Sequence, residues 1–202
     1  MSQEAENEDM KKKIFSTGIR VGTEVKTKFM IPFITKTSPE GLYMLDLDTT
    51  LSRIQTAGRF IKKFDINQVV VYSGRSYCKT PIEKFCELTG AKMMLGRFMP
   101  GTLTNPSLPF YIEPQLMIIS DPRVDSQAIT EATNAGIPVI GIANTDNVTS
   151  KLDLIIPANN RGRKALATVY WLLAREVLQD SKAIKYKIDD FETKTADVEE
   201  EL

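Results

Sequence analysis

The chain has 202 residues, of which 42% are hydrophobic and none is histidine, so it is long enough for one domain with tails. The lack of histidine excludes histidine-based catalytic triads, zinc sites that use imidazole, and imidazole acid–base catalysis. No apolar run approaches the roughly 18 residues of a membrane helix, and the first residues are polar and acidic, so we expect a cytoplasmic protein. Cys78 and Cys86 fit neither a C-x-x-C redox pair nor a zinc set, and we expect buried or idle thiols.

The formal net charge is zero because acidic ends offset a basic middle. Residues 1–9 contain four acids and no base, and residues 189–202 contain seven acids and one lysine. Residues 10–188 therefore carry 25 Lys and Arg against 15 Asp and Glu, a net charge of +10. Such a body favours a polyanionic partner, because each neutralised phosphate releases condensed counterions.

The charge pattern also predicts the domain organisation. We expect acidic tails over 1–9 and 181–202, and between them a domain over 10–180 that begins with an N-terminal arm. The tails are either solubilising segments or mimics of nucleic acid that shield the body before assembly.

Apolar runs alternate with amphipathic stretches along the middle of the chain, which predicts a repeating order of strands and helices. The predicted strands are 42–47, 68–72, 91–95, 116–120, 138–142 and a short 153–156. The predicted helices are 51–64, 82–88, 125–135 counted with its cap, and 163–178. Thr49 or Thr50 is the predicted N-cap of the first helix, Pro81 the first residue of the second, and Asp125 the cap of the third.

Strands that are apolar throughout, each followed by a helix, are typical of a parallel sheet covered on both faces. We therefore predict a three-layer α/β/α sandwich. The loops after the strands, over 46–50, 73–80, 96–110, 121–125 and 143–150, should meet at one edge of the sheet. That edge normally holds a ligand in such folds, although the fold alone does not show that one binds.

The loop Gly96 to Asn105, GRFMPGTLTN, is rich in turn-forming and small polar residues. Proline and glycine fix its shape, and its hydroxyl and amide groups suit hydrogen bonds to backbone or ligand. Its PGTLTN stretch, and DPRVDSQAITEA that follows, resemble the universal small-subunit ribosomal protein two family, which includes the laminin-receptor or SA relatives.

Other ordered segments extend the resemblance over residues 15 to 180, in the archaeal pattern. They are STGIRVGTEVKTKFMIPFI, GLYMLDLDTTLSRI, IPVIGIANTDNVTSKLDLIIPANN and RGRKALATVYWLLAREVL. One departure is Arg20 in Gly18-Ile19-Arg20-Val21-Gly22, where the family usually has histidine; a cation there suits a phosphate contact equally well.

The resemblance implies a flavodoxin-like fold without the helical hairpin that bacterial relatives insert. It also implies a non-catalytic structural component of the small ribosomal subunit, bound to folded ribosomal RNA and to neighbouring ribosomal proteins. A second non-enzymatic possibility, an independent protein-binding module like that proposed for animal relatives, rests on the family alone. We expect no membrane partner, no small-molecule substrate, no metal and no cofactor.

The alternative from another class is a magnesium-dependent phosphohydrolase of the haloacid-dehalogenase type. The stretch Asp46-Leu47-Asp48-Thr49-Thr50 fits its D-x-D-x-T nucleophile pattern, and Ser73 ends the next strand, where such enzymes bind phosphate. In that mechanism Asp46 attacks phosphorus, Asp48 is the general acid and base, and Asp121 with Asp125 holds magnesium. Helix periodicity begins directly after Asp48, which leaves little room for the flap of those enzymes.

Nucleotide-binding signatures are missing, because neither G-x-G-x-x-G after a strand nor G-x-x-x-x-G-K-[ST] occurs. The basic residues instead gather in the arm and at the start of the last helix, where cations oppose the helix dipole unless an anion is near. With the polar loop, they form the predicted RNA-binding set. Its members are Lys11, Lys12, Lys13, Arg20, Lys26, Lys28, Arg97, Thr102, Asn105, Arg161, Arg163 and Lys164.

Overall fold

A five-stranded parallel sheet forms the centre of the protein, seen in a computed structural model that describes residues 13–178 and 186–193. Its strands are β3 (Val69–Ser73), β4 (Lys92–Leu95), β5 (Leu116–Ile119), β6 (Val139–Ala143) and β7 (Leu154–Pro157). They lie in the order β4-β3-β5-β6-β7, and every neighbouring pair is parallel. Counted within the sheet, this is the 2-1-3-4-5 order of flavodoxin-like folds. The predicted parallel α/β architecture is confirmed.

Helices cover both faces of the sheet. They are α1 (Leu47–Ile61), α2 (Lys79–Thr89), α3 (Ser126–Asn134) and α4 (Arg163–Leu178). Side chains of α1, α2 and α4 share one core with alternate strand residues such as Val71 and Ile118. The other residues of these strands, such as Met117 and Ile119, pack with α3 and with Leu103 of the loop over residues 96–105. The period-2 alternation of a strand therefore separates two cores. Cys78 and Cys86 are buried, as predicted.

The first predicted strand does not join the parallel sheet, which corrects the expectation for 42–47. Its observed part, β2 (Tyr43–Leu45), pairs antiparallel with β1 (Ile34–Thr37) in a separate two-stranded ribbon. Gly41, at φ +84°, lies in the turn between them. Because the preceding residues supply a local partner, the chain forms a hairpin here. Leu45 and Phe33 of this region pack with Met30 and with Ala143 of β6.

The helix starts also differ from the predictions at specific side chains. Asp46 is the N-cap of α1, because its Oδ2 accepts from Thr49 N at 3.2 Å. Thr50 is instead turned inward, and its hydroxyl donates to Pro157 O at 2.6 Å, which joins α1 to β7. α2 begins at Lys79, directly after a 3₁₀ turn over Ser76–Cys78, so Pro81 is its third residue rather than its first.

Asp125 occupies the N-cap position of α3, but its side chain makes no bond to that helix. It accepts from Gly74 N at 2.8 Å across the sheet edge instead. The predicted position is correct and the predicted partner is wrong, because a residue after β3 competes for the same carboxylate.

The last described segment packs onto the domain. Trp171 Nε1 in α4 donates to Tyr186 O at 2.7 Å, and Phe191, in a 3₁₀ turn over Ile188–Phe191, is fully buried in the main core. Residues 186–193, in the range predicted as tail, therefore pack against the domain. The acidic residues of 1–9 and 194–202 lie outside the described residues. No helix in the described ranges is long and apolar enough to cross a membrane.

Gly58 lies where α1 crosses α4, and a Cβ there would come 2.6 Å from Cβ of Glu176. Alanine normally stabilises a helix interior by about 1 kcal/mol relative to glycine. Overpacking costs about 1–3 kcal/mol, so we expect Gly58→Ala to lower the free energy of unfolding by up to about 2 kcal/mol in urea titrations. Ser52→Ala, at an exposed position of α1, should stay within about 0.5 kcal/mol of the wild type. A stabilised Gly58→Ala protein would contradict the close helix contact.

Candidate nucleic-acid interface

The N-terminal arm comprises residues 13–31 of the described chain, and its residues 18–27 lie across the edge of the sheet where the parallel strands end. Gly22 N donates to Tyr43 O in the ribbon at 2.8 Å. On the other side, Thr23 N donates to Thr145 Oγ1 and Thr27 N to Thr145 O, both at 2.9 Å. A Cβ on Gly22 would lie 2.5 Å from both Tyr43 O and Thr145 Cγ2, so the close approach of the chains requires glycine. The arm is therefore fixed between the ribbon and the loop after β6.

Asn159 connects this arm to the start of α4. Its N donates to Ile19 O at 2.8 Å, and its Nδ2 donates to Gly18 O at 3.2 Å. Its Oδ1 accepts from the backbone of Arg161 at 3.0 Å. One side chain thus brings the segment of Arg20 next to the segment of Arg161, although the two arginines are far apart in the sequence.

The predicted cations of the arm lie at this surface. The guanidinium of Arg20 lies 4.7 Å from the ring centroid of Phe15, and Lys26 Nζ lies 4.8 Å from that of Tyr43. Lys13 and Lys28 are exposed. These contacts place positive charge on aromatic faces; Lys26 is exposed, whereas Arg20 is half-buried and its Nε is buried. Lys11 and Lys12 lie outside the described residues.

At the start of α4 the structure adds one cation, Arg123, and one acid, Asp146, that are outside the predicted RNA-binding set. Arg161 Nη2 forms a close ion pair with Asp146 Oδ2 in the loop after β6. Arg123 Nη1, from the loop after β5, reaches the same oxygen at 3.5 Å. Arg163 is half-buried and Lys164 exposed. A sign of this cluster was available in DPRVD and NTDN, since each follows a strand and the strand ends meet at one edge.

The loop predicted to fit RNA is held against α3 by one carboxylate. Glu131 accepts from Gly101 N at 2.9 Å and from Leu103 N at 3.3 Å. Burial raises the pKa of Glu131, but these bonds and one from Gln127 outweigh it, and the pKa lies below its ordinary value. Glu131 therefore stays ionised and holds the loop at neutral pH.

The three loop residues predicted to bind RNA are placed differently. Arg97 is exposed beside Gly96, whose N donates to Ser73 O at the same sheet edge as the arm. Asn105 is exposed, and its Oδ1 accepts from Ser107 N at 3.1 Å. Thr102 is buried and donates to Met99 O at 2.6 Å. Thr102 thus shapes the loop, and its hydroxyl is directed away from a partner.

The carboxylates that suggested an enzyme are engaged with protein groups. Asp46 follows β2 of the ribbon and not a strand of the parallel sheet. The hydrogen bond from the Thr49 hydroxyl is the main cause that lowers the pKa of Asp46. Asp121 is buried and accepts from Arg75 Nε at 2.7 Å and Nη2 at 2.5 Å. Within the described ranges no group of three Cys, Asp or Glu is placed to hold a metal ion. The arrangement gives neither the free nucleophile nor the metal ligands of the phosphohydrolase mechanism.

Arg75 and Asp125 lie between β3 and β5, where the order of the sheet reverses and flavodoxin-like proteins place a ligand. Here the protein fills this position with its own side chains. Burial raises the pKa of Asp125 to about 7, against the opposing effect of the bond from Gly74 N.

Comparisons with known proteins agree with this geometry. The family model described as ribosomal protein S2 matches residues 110–180, which include the loops of Asp121, Asp146 and Arg161. The small ribosomal subunit protein uS2 of Nitrosopumilus maritimus is 70% identical over 98% of this chain and 99% of its own length. The chain belongs to the ribosomal protein S2 family. Relatives of the same name from Cenarchaeum symbiosum and Thermofilum pendens are 57% and 55% identical, over 95% and 81% of this chain and 95% and 77% of theirs.

Family membership confirms the resemblance found in the sequence, including its archaeal character. The matched relatives give no support to the phosphohydrolase alternative. The S2 family assignment also extends over the arm, because the alignments cover nearly the whole chain.

Asp125 predicts an unusual dependence of stability on pH. Its folded pKa of about 7 lies above an ordinary value of about 3.9, so the folded state holds the proton more tightly and stability falls as pH rises from about 4 to about 7. In urea titrations over this pH range, the free energy of unfolding of wild type should fall by on the order of 1 kcal/mol per pH unit more than that of Asp125→Asn. Glu113→Gln, at an exposed acid, should keep the wild-type slope. Parallel profiles for wild type and Asp125→Asn would contradict the shifted pKa.

Proposed function

We propose that this protein is a structural, non-catalytic constituent of the cytoplasmic small ribosomal subunit, and that the carboxyl edge of its sheet binds folded ribosomal RNA. The observation that carries the proposal is the cationic surface formed by the arm and the start of α4, in a chain 70% identical to a small ribosomal subunit protein. Hydrogen bonds through Thr145 and Asn159 unite the two parts of that surface.

The charge arrangement at the start of α4 supports an anionic partner. Arg163 is the first residue of the helix, and Arg161 and Lys164 flank it. Positive side chains at an amino end oppose the helix dipole, whereas a phosphate there interacts favourably with both the dipole and the side chains. Asp146 forms an ion pair with Arg161 within this group.

Binding of this kind recognises shape and backbone rather than base sequence. The surface is made of guanidinium and ammonium groups fixed on a rigid sheet edge, and these groups contact phosphates without reading bases. The predicted set from Arg20 to Lys164 fits such a role, with Thr102 acting through loop shape.

The arm also offers a surface for neighbouring ribosomal proteins. Phe15, Val25, Phe29 and Ile31 are apolar and about half exposed or more. Exposed aromatic and aliphatic side chains in one segment are typical of protein–protein contacts. We infer that this side of the arm meets protein, while the cations beside it meet RNA.

Removal of the charge at the start of α4 should weaken assembly into the small subunit. We expect Arg161→Gln, Arg163→Gln and Lys164→Gln together to reduce co-sedimentation with small subunits. The slope of log Kd for small-subunit RNA against log salt should shrink by about 2 to 3 units, since each lost phosphate contact removes about 0.7–0.9. Glutamine is chosen because a glutamate at 161 would face Asp146.

The matched control removes the same charge from the opposite edge of the sheet. Lys62 and Lys63 follow α1, and Lys92 begins β4; all three are exposed. Their combined change to glutamine should leave the salt slope and co-sedimentation close to wild type. Equal losses in the two triple variants, with both proteins folded, would refute a specific interface at the carboxyl edge. Absence of the wild-type protein from washed small subunits would refute the ribosomal role itself.

A further inference from the structure

Three neighbouring loops meet around one carboxylate at the carboxyl edge of the sheet. Arg123 follows β5, Asp146 follows β6 and Arg161 follows β7, and these strands are adjacent in the sheet. Both guanidinium groups reach the same atom, Asp146 Oδ2. We name these three residues the Asp146 cluster.

Burial differs sharply within the Asp146 cluster. The side chain of Asp146 is 8% exposed, that of Arg161 is 44% exposed and that of Arg123 is 71% exposed. The carboxylate is therefore buried beside two arginines whose side chains are exposed to solvent. A guanidinium has five N–H donors, so each arginine keeps donors for a partner while it contacts Asp146.

The loop that holds Asp146 is itself fixed on both sides. Asn147 Oδ1 accepts from Asn144 N at 2.6 Å and from Asn160 Nδ2 at 3.0 Å. Asn147 Nδ2 donates to Asp121 Oδ1 at 3.2 Å. The backbone of Thr145 is bonded to the arm. The carboxylate thus has a defined position, and the exposed arginines take their orientation from it.

The negative charge of Asp146 is unfavourable for a surface that binds phosphate. The surface is proposed to attract phosphate, and Asp146 removes one unit of positive charge from its centre. Arg161 and Arg123 are themselves exposed, so solvent screening limits what the two ion pairs add to stability, and the Arg123 contact is long. The ion pairs also orient the two arginines, and side chains that are ordered before binding lose less conformational freedom when the partner arrives. Planar guanidinium groups gain most from such ordering, since they bind phosphate in a directional, forked manner.

We propose that Asp146 is a positioning residue that holds Arg123 and Arg161 as a two-arginine clamp for the ribose-phosphate backbone of small-subunit RNA. This inference rests on the proposed function. Arg123, which is outside the RNA-binding set predicted from sequence, is then a direct contact. Asp146 acts through the two arginines and does not touch the RNA.

The decisive variant is Asp146→Asn, because the change in charge and the loss of positioning should change the affinity for RNA in opposite directions. The amide keeps the size of the side chain and one acceptor oxygen, and the protein gains one unit of positive charge. Attraction by charge alone would tighten RNA binding. The clamp predicts weaker binding, with a Kd for transcribed small-subunit RNA raised about fivefold, which is about 1 kcal/mol at 25 °C. The full-length chain is used, and its thermal unfolding is measured in parallel.

The control is Glu24→Gln, an equal charge change at an exposed acid of the arm. Its Kd should equal that of wild type or fall. If Asp146→Asn binds as tightly as wild type or more tightly, the clamp is wrong. The clamp is also wrong if Glu24→Gln weakens binding as much as Asp146→Asn does.

A double-mutant comparison separates positioning from a general effect on the fold. In a protein that carries Arg123→Gln and Arg161→Gln, the further change Asp146→Asn should leave the Kd unchanged, because the residues through which it acts are gone. A fivefold loss that persists in this background would overturn the clamp.

The proposed function and the clamp fail on different results. If wild-type protein binds small-subunit RNA no better than an unrelated RNA of equal length, the proposed function fails, and the clamp fails with it. If wild type shows that preference and Asp146→Asn retains the full affinity, the clamp alone fails and the broader RNA-binding surface stands.

Discussion

The attachment of the arm to the loop after β6 is the interaction on which the proposed surface depends. Thr145 accepts hydrogen bonds from two backbone N–H groups of the arm, one at its hydroxyl and one at its carbonyl. Asn159 donates hydrogen bonds to the carbonyls of Gly18 and Ile19, earlier in the arm. Without these bonds the arm cations and the α4 cations would belong to separate parts of the molecule. The absence of a side chain on Gly22 permits this close contact, since there is no space for a Cβ.

Buried acids at the sheet edge act as internal supports in this protein. Asp121 joins Arg75 to Asn147, and Asp125 bonds the chain after β3. Glu131 holds the loop over residues 96–105 in a similar way. A carboxylate after a strand is equally typical of a phosphate-transferring enzyme, so residue type alone does not separate the two functions. The hydrogen-bond partners of each carboxylate separate the two functions, because a carboxylate already bonded to arginine or to backbone N–H groups has less capacity to bind a metal or a substrate.

The sequence was sufficient for the parallel sheet, because long apolar strands followed by amphipathic helices admit few other folds. It was insufficient for β2, where three residues form a hairpin with a partner that carries no strong strand pattern of its own. Asp46, Thr50 and Asp125 show a second limit. Each has the chemistry of a cap, yet only contacts with distant residues decide which one caps a helix.

The candidate surface was predictable where cations are close together in the chain, as at Arg161 and Lys164. Arg123 was missed because it stands alone between a proline and a valine, and its neighbour Asp146 is 23 residues away. Such clusters form where loops of adjacent strands converge. Ordering the strand-end residues by their place in the sheet, rather than by their place in the chain, would have brought Arg123, Asp146 and Arg161 together.

The connections of the arm span most of the polypeptide, with 122 residues between Thr23 and Thr145 and 141 between Gly18 and Asn159. A chain that emerges from its amino end displays the arm long before either partner exists. The complete surface therefore forms only after residue 159 has been translated and the sheet has closed. Contacts of such long range also form slowly. The finished fold, and not the nascent arm, therefore carries the complete surface that is proposed to bind RNA.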